Sequence, residues 1–474
     1  MRVLPWSLIA FTIATASSAQ VDRSRPPALG PAPAVRLPAI QKLTLSNGLP
    51  VWMVEQHEVP VVQIDLIVKS GTAADPAGKY GVASFTAAML DEGAGTRDAL
   101  QIADAIDLLG AQVSTASTTD ASMVRLHVPV ARRGEALAIM ADVALRPTFP
   151  QTEIDRIRAE RLTDLQQARD DPAEIILGAF PLAVFGAEHR YGTGTAGTTA
   201  SLKGLTADDF RSFHAAQYQP SNAVMIVAGD VKPETMMPLL ESVFGSWKRA
   251  AATPAASVPV PPQLKARRVV IVDKPGAAQS RIRIGWVGVP RSTPDFYTLQ
   301  VLNTILGGSF TSRLNQNLRE QHGYAYGAGS AFDMRRVAGS FYASAPVQTD
   351  KTAEAVKEFF NELNGMLKPV PEEEIAKAKN YLALSYPREF ETTRNIATQL
   401  ATAAIYDLPV DFFSTYVQKI QAVTAADVLA AAKKYIQPDR FAVVIVGDRK
   451  TIEAPVRALN LGPISFMTVN EAIR

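Results

Sequence analysis

One stretch of this chain is written twice. "LTADDFRSFHAAQYQPSNAVMIVAGD" (205–230) and "VTAADVLAAAKKYIQPDRFAVVIVGD" (423–448) align without a gap at a separation of 218 residues. Thr206 falls on Thr424, Asp209 on Asp427, Gln219-Pro220 on Gln437-Pro438, and Gly229-Asp230 on Gly447-Asp448. Each copy reads as a helix opened by a Thr cap, a turn at Pro, and a buried β-branched strand ending at Gly-Asp. "FPQTEIDRIR" (149–158) and "VPEEEIAKAK" (370–379) echo one another as Pro-initiated helices. Repeated matches in the same order mark a duplicated unit, so the chain must fold into two similar halves. Between them runs "AAATPAASVPVPPQLKARR" (250–268), whose Pro and Ala content suits a semi-rigid linker.

Within each half, alternating segments such as "SMVRLHV" (122–128) and "RIRIGWVG" (281–288) read as half-buried strands. Long helical stretches separate them, for example "TEIDRIRAERLTDLQQARDD" (152–171), stopped by Pro172. The expected fold class is α+β: two homologous domains, 41–249 and 269–474, each a mostly antiparallel sheet with helices packed on one face.

The first residues, "MRVLPWSLIAFTIATASSAQ", give a single Arg, an apolar run and then small residues up to Ala19. That is the pattern of a secretory signal over 1–19, and its apolar run is too short to span a bilayer. Residues 20–40 form a Pro-rich leader. The expectation is an exported chain, which a Gram-negative periplasm would fit, with no membrane span once the signal is removed. A formal charge of +2 with interspersed signs excludes the basic blocks that nucleic acid or an anionic membrane would select. The chain has no Cys, which removes thiolate metal sites and a Cys nucleophile. Its five His (57, 127, 189, 214 and 322) include no pair three or four residues apart.

Three long segments, in order, carry a resemblance to a known family. They are "LSNGLPVWMVEQHEVPVVQIDLIVKSGTAADPAGKYGVASF", "HRYGTGTAGTTASLKGLTADDFRSFHAAQYQPSNAVMIVAGDV" and "KPGAAQSRIRIGWVGVPRSTPDFYTLQVLNTILGGSFTSRLNQNLREQHGYAYG". The chain resembles the pitrilysin/insulinase-like zinc metallopeptidases in their short two-domain form, the group that includes the mitochondrial processing peptidases. That resemblance implies a helix reading H-x-x-E-H, in which two His on one face share a metal and the Glu polarises its water. A Glu on a later helix completes the ligands and leaves a fourth position open. Here the motif falls on Ser84, Phe85, Thr86, Ala87 and Ala88, and the later ligand on Asp164, counted back from Pro172. Both His and the base are absent, and one carboxylate cannot hold zinc. No metal site is expected on this chain.

The resemblance also implies a role for "LREQHGYAYG", which carries Arg319 and Tyr326. In the short-form relatives such a pair reaches a peptide held at the zinc of a second, homologous subunit, and can stabilise an oxyanion there. The expected partners are therefore a homologous zinc-bearing chain with an intact H-x-x-E-H motif and a peptide or unfolded-protein substrate. Spacing alone favours a solvated helix Arg and a packed strand Tyr; the surrounding family-like segment is what favours the functional pair. The Gly-rich turn "ILGGSF" offers Gly307 and Gly308 as possible contacts to a peptide backbone, or as a tight strand-to-helix connection. His189 reads as a hydrogen-bonded structural His. Ser84 has no His near it in sequence to activate it as a nucleophile. Two functions follow: a zinc-less subunit of a heterodimeric peptidase, or a non-catalytic peptide-binding or assembly protein of the same fold.

Overall fold

The computed structural model describes residues 39–248, 258–409 and 411–474. The signal segment 1–19, nearly all of the leader and about half of the linker lie outside the described residues.

Two six-stranded sheets organise the fold. The first contains β1 (Gln41–Thr44), β2 (Pro50–Glu55), β3 (Val61–Val68), β6 (Gln112–Ser117), β7 (Ser122–Pro129) and β8 (Ala223–Gly229), with β4 (Gly93–Ala94) and β5 (Arg97–Asp98) forming a separate small hairpin. The second contains β9 (Arg268–Asp273), β10 (Gln279–Val287), β11 (Gly329–Phe332), β12 (Ser340–Gln348), β13 (Ala442–Gly447) and β14 (Ile464–Met467). Their orders are β1-β2-β8-β3-β7-β6 and β11-β12-β10-β13-β9-β14. Read from opposite ends, five of the six positions correspond. The parallel pair β2–β8 answers the parallel pair β9–β13. The sixth position is filled differently, by β1 antiparallel to β2 in one sheet and by C-terminal β14 parallel to β9 in the other.

The repeated segments build identical local structure. Thr206 and Thr424 each accept from the backbone N–H three residues on, and Asp209 and Asp427 return the bond to the Thr N–H, closing two matching capping boxes. At matching places, Arg158 donates to Leu205 O (2.7 Å) and Lys379 donates to Val423 O (2.9 Å). These cations tie the Pro-initiated helices to the turns that open the repeated units.

Each domain's own helices cover one face of its sheet, and the other face is covered by an exchanged helix. Pro172–Phe185, from the first half, lays Ile175, Ala179 and Phe180 on Val270, Val272, Val444 and Val446 of the second sheet. Thr393–Ile405, from the second half, lays Ile396, Ala397, Leu400, Ala401 and Ala404 on Ile67, Val224, Ile226 and Ala228 of the first. Small Ala side chains let this second helix approach the sheet closely. Burial from both sides is why β8 and β13 are buried at every position, as a strand with two covered faces requires.

One polar group interrupts the seam under Thr393–Ile405. The Asp65 carboxylate, on β3, is buried; it accepts from Gln63 and lies 3.6 Å from Arg125 Nε. Burial pushes it up to about 6, against the pull of Gln63, Arg125 and Arg394. The folded chain therefore binds this proton more tightly than the unfolded chain, and the contribution of this group to stability declines as pH rises from about 4 through about 6. Asp65→Asn, an isostere of the protonated form, is expected to match the parent near pH 4 and to exceed it by about 3 kcal/mol at pH 8. Urea unfolding of the two proteins at both pH values checks this. A constant difference across that range contradicts it.

Candidate functional site

The helix Val82–Met89 is held in place from its first turn. Gly81 stands at φ 91°, where an added Cβ would meet Ala196 O at 2.4 Å, so both conformation and space require glycine. The Asp75 carboxylate accepts from the backbone N–H groups of Gly81 (2.6 Å) and Ala83 (2.9 Å), while Arg190 Nη2 donates to it at 2.6 Å. Burial pushes this carboxyl up, opposed first by Arg190 and then by the two N–H groups. Val82, Phe85 and Met89 are all buried, and Phe85 stacks on Phe210 at 4.6 Å. The helix is firmly anchored scaffold.

Its outward positions hold no metal chemistry. Ser84 Oγ lies 2.8 Å from Thr195 O and 3.1 Å from Gly81 O, and accepts from Arg161 Nη1 at 3.0 Å. Arg161 Nη2 also donates to Ser84 O at 2.9 Å, and its guanidinium lies 4.7 Å over the Phe85 ring. Ser84 is thus bonded into the structure, with no His among its partners. Ala87 is fully buried, Ala88 offers a methyl group, and Asp164 is exposed on the later helix, Gln151–Ala168. Burial lowers Arg161 to about 10, with Glu160 and Asp164 opposing, so it stays charged at neutral pH. A cation on Ser84 is the opposite of a metal-binding donor set. Among the described residues no three His, Cys, Asp or Glu converge to hold a metal ion. The residues present do not fit zinc.

This arrangement predicts the outcome of a graft. Ser84→His, Ala88→His and Asp164→Glu together are expected to bind zinc poorly while Arg161 remains. Adding Arg161→Ala should tighten zinc binding by at least about a hundredfold, because even one unit charge at 4 Å costs about 4 kcal/mol near a protein surface. Calorimetric zinc titration of the two grafts checks it, and equal affinities contradict it.

The second domain presents a different group. The helix Phe296–Asn303 runs into a π-helical turn at Thr304–Gly308. After a short helical turn at Arg313–Asn315, a second π-helical turn follows at Gln316–Gln321. The Gly-rich turn therefore joins helix to helix, not strand to helix as its sequence suggested. Gly307 packs against β11, where a Cβ would meet Ser330 N at 2.3 Å, whereas Gly308 is exposed. Arg319 stands on the second π turn, a distortion frequent at functional sites. Tyr326 is not on a strand; it lies in the loop before β11 and is 84% exposed. Arg319 Cζ sits 5.0 Å from the Tyr326 ring and 4.7 Å from the ring of Phe310. The structure thus brings Arg319 and Tyr326 together and adds Phe310, which sequence reasoning missed. Its signal was the aromatic that closes the Gly-rich stretch ILGGSF.

His189 is structural: its Nδ1 accepts from Tyr191 N at 3.1 Å and its Nε2 lies 2.9 Å from Pro259 O.

Comparison with known proteins fits this geometry. The sequence profile described as insulinase (peptidase family M16) matches residues 51–197, and that described as peptidase M16 inactive domain matches 204–382. The chain belongs to peptidase family M16. An uncharacterized zinc protease of Mycobacterium leprae is 30% identical to this M16 chain over 64% of its length and 67% of the relative's. Another, from Rickettsia bellii, is 26% identical over 85% and 96% of the two chains. The crystal structure of a peptidase M16 inactive domain from Pseudomonas fluorescens superposes with a TM-score of 0.80 at 27% identity, covering 86% of this chain and 98% of that one. A Helicobacter pylori protease, at 21% identity and a TM-score of 0.81 over 86% of this chain and all of that one, shares the fold. The matched segment 51–197 includes the helix Val82–Met89.

Proposed function

We propose that this chain is the zinc-less subunit of a heterodimeric, exported M16 metallopeptidase. It presents Arg319 and Tyr326 to a peptide held in the site of a homologous, zinc-bearing partner. The observation that carries the reading is a contrast within one molecule: a guanidinium occupies the metal face of the first domain, while a cation with open donors stands on the surface of the second. Arg319 can donate N–H bonds to a peptide carbonyl and to the charge that develops on it during hydrolysis, the role in which fixed donors are most effective. The signal pattern at 1–19 supports export of this chain.

The open edge strand β6 supports peptide binding by strand addition. It pairs with β7 alone and lies beside the helix Val82–Met89, so its outer backbone groups are free to pair with an extended peptide. The same edge favours the second reading, a peptide-binding or assembly protein without a catalytic role.

Co-expression with the zinc-motif homologue from the same cell separates the two readings. The heterodimeric reading expects a stable pair in which zinc is stoichiometric with the homologue, and a purified single chain without zinc or peptidase activity. A chain that binds peptides but never pairs with the homologue supports the second reading.

A further inference from the structure

We propose that Phe310 is a positioning residue for Arg319, an aromatic wall that fixes the guanidinium with its donor edge outward. The inference deepens the function proposed above and rests on it. Phe310 is 64% exposed and Tyr326 84%. A single exposed ring on a protein surface needs no explanation, but these two flank one cation, with ring centroids 4.7 and 5.0 Å from its Cζ. Rings attract a guanidinium over their faces. Its N–H donors lie in its plane, so contacts of that kind leave them free. At the Nε end Arg319 meets Glu320 at 3.2 Å. Its two terminal nitrogens have no hydrogen-bond partner among the described residues, and the side chain is 29% exposed, so they remain available as a pair of donors.

The flanking rings are themselves tied together. Asn315 is buried; its Nδ2 donates to Phe310 O at 2.6 Å and its Oδ1 accepts from Ala328 N at 3.1 Å. One buried amide thus links the turn that carries Phe310 to the loop that carries Tyr326, and the cation stands between the two segments. A long Arg side chain otherwise loses rotamer freedom when it engages a substrate, and restraint in advance removes much of that loss. The target is a peptide carbonyl as it acquires charge, so the benefit falls on the turnover step rather than on substrate capture.

The test uses the reconstituted pair of this chain and its zinc-motif homologue. Phe310→Ala is expected to lower kcat about three- to tenfold with KM little changed, the loss of one such contact. Phe310→Leu should not restore the rate, and Phe310→Tyr should. In the free chain labelled with 15N-arginine, the Arg319 Nε–H resonance should lie upfield from ring currents and move downfield in Phe310→Ala. Parent kcat in both Phe310→Ala and Phe310→Leu, a raised KM with kcat intact, or an unmoved Arg319 resonance would each overturn the proposal. All three leave the heterodimeric reading standing if Arg319→Ala still abolishes activity. If Arg319→Ala leaves the rate unchanged, that reading falls and this inference falls with it.

Discussion

Arg319→Ala is expected to lower peptide hydrolysis by the assembled pair by about a hundredfold or more, without weakening the pair. Removing one preorganised donor to a developing oxyanion costs about 10²–10³ in turnover, and Arg319 has two terminal nitrogens to offer. The Arg319 guanidinium meets the exposed side chains of Phe310, Glu320 and Tyr326, so its removal should leave folding intact. Arg319→Lys should recover only part of the rate, because an ammonium is a point charge without the planar fork. Sedimentation of the mixture separates lost turnover from lost assembly. Parent rates in Arg319→Ala would remove this residue from the chemistry.

The largest stability effect is expected far from that cation, at Arg190. Its guanidinium donates to Thr72 O (2.5 Å), Thr193 O (3.0 Å) and Asp75 Oδ2 (2.6 Å), and both members of the ion pair are buried. Replacing Arg190 with Leu strands the Asp75 carboxylate, and breaking a buried pair in this way costs about 3–5 kcal/mol. Asp75 already titrates high from burial, and losing Arg190 must raise it further. The variant's deficit is therefore smaller at acidic pH and grows as pH rises. The double variant Asp75→Asn, Arg190→Leu should recover much of the loss by removing the buried charge. Thermal unfolding of the three variants at pH 5 and pH 7.5 checks this. A pH-independent deficit, or no recovery in the double variant, contradicts it.

Local features of the fold were legible in the sequence because their causes are local. The Thr206 and Thr424 caps, the turns at Pro220 and Pro438, and the buried strands that follow all lie where the repeat puts them. Which side chains stand at Ser84, Ala87 and Ala88 is read directly from the sequence, but the guanidinium that faces Ser84 is not. What escaped depends on contacts distant in sequence. Pro172–Phe185 is apolar enough to be buried, but nothing local says that it packs on the sheet of the other half. Arg161 lies one turn before Asp164, yet only the fold brings it 77 residues back to Ser84. Phe310 and Arg319 are nine residues apart and meet because the short helical turn at Arg313–Asn315 and the π-helical turn that follows it fold the chain back on itself.

If the proposed function holds, this chain completes a site it does not itself contain. The most direct measurement is the rate of peptide hydrolysis by a fixed amount of the zinc-bearing homologue as this chain is added. Little activity is expected from either chain alone, and a rate that climbs to a plateau at one chain per homologue. A rate that stays at the level of the homologue alone throughout the titration would contradict it and leave this chain a binding or assembly protein.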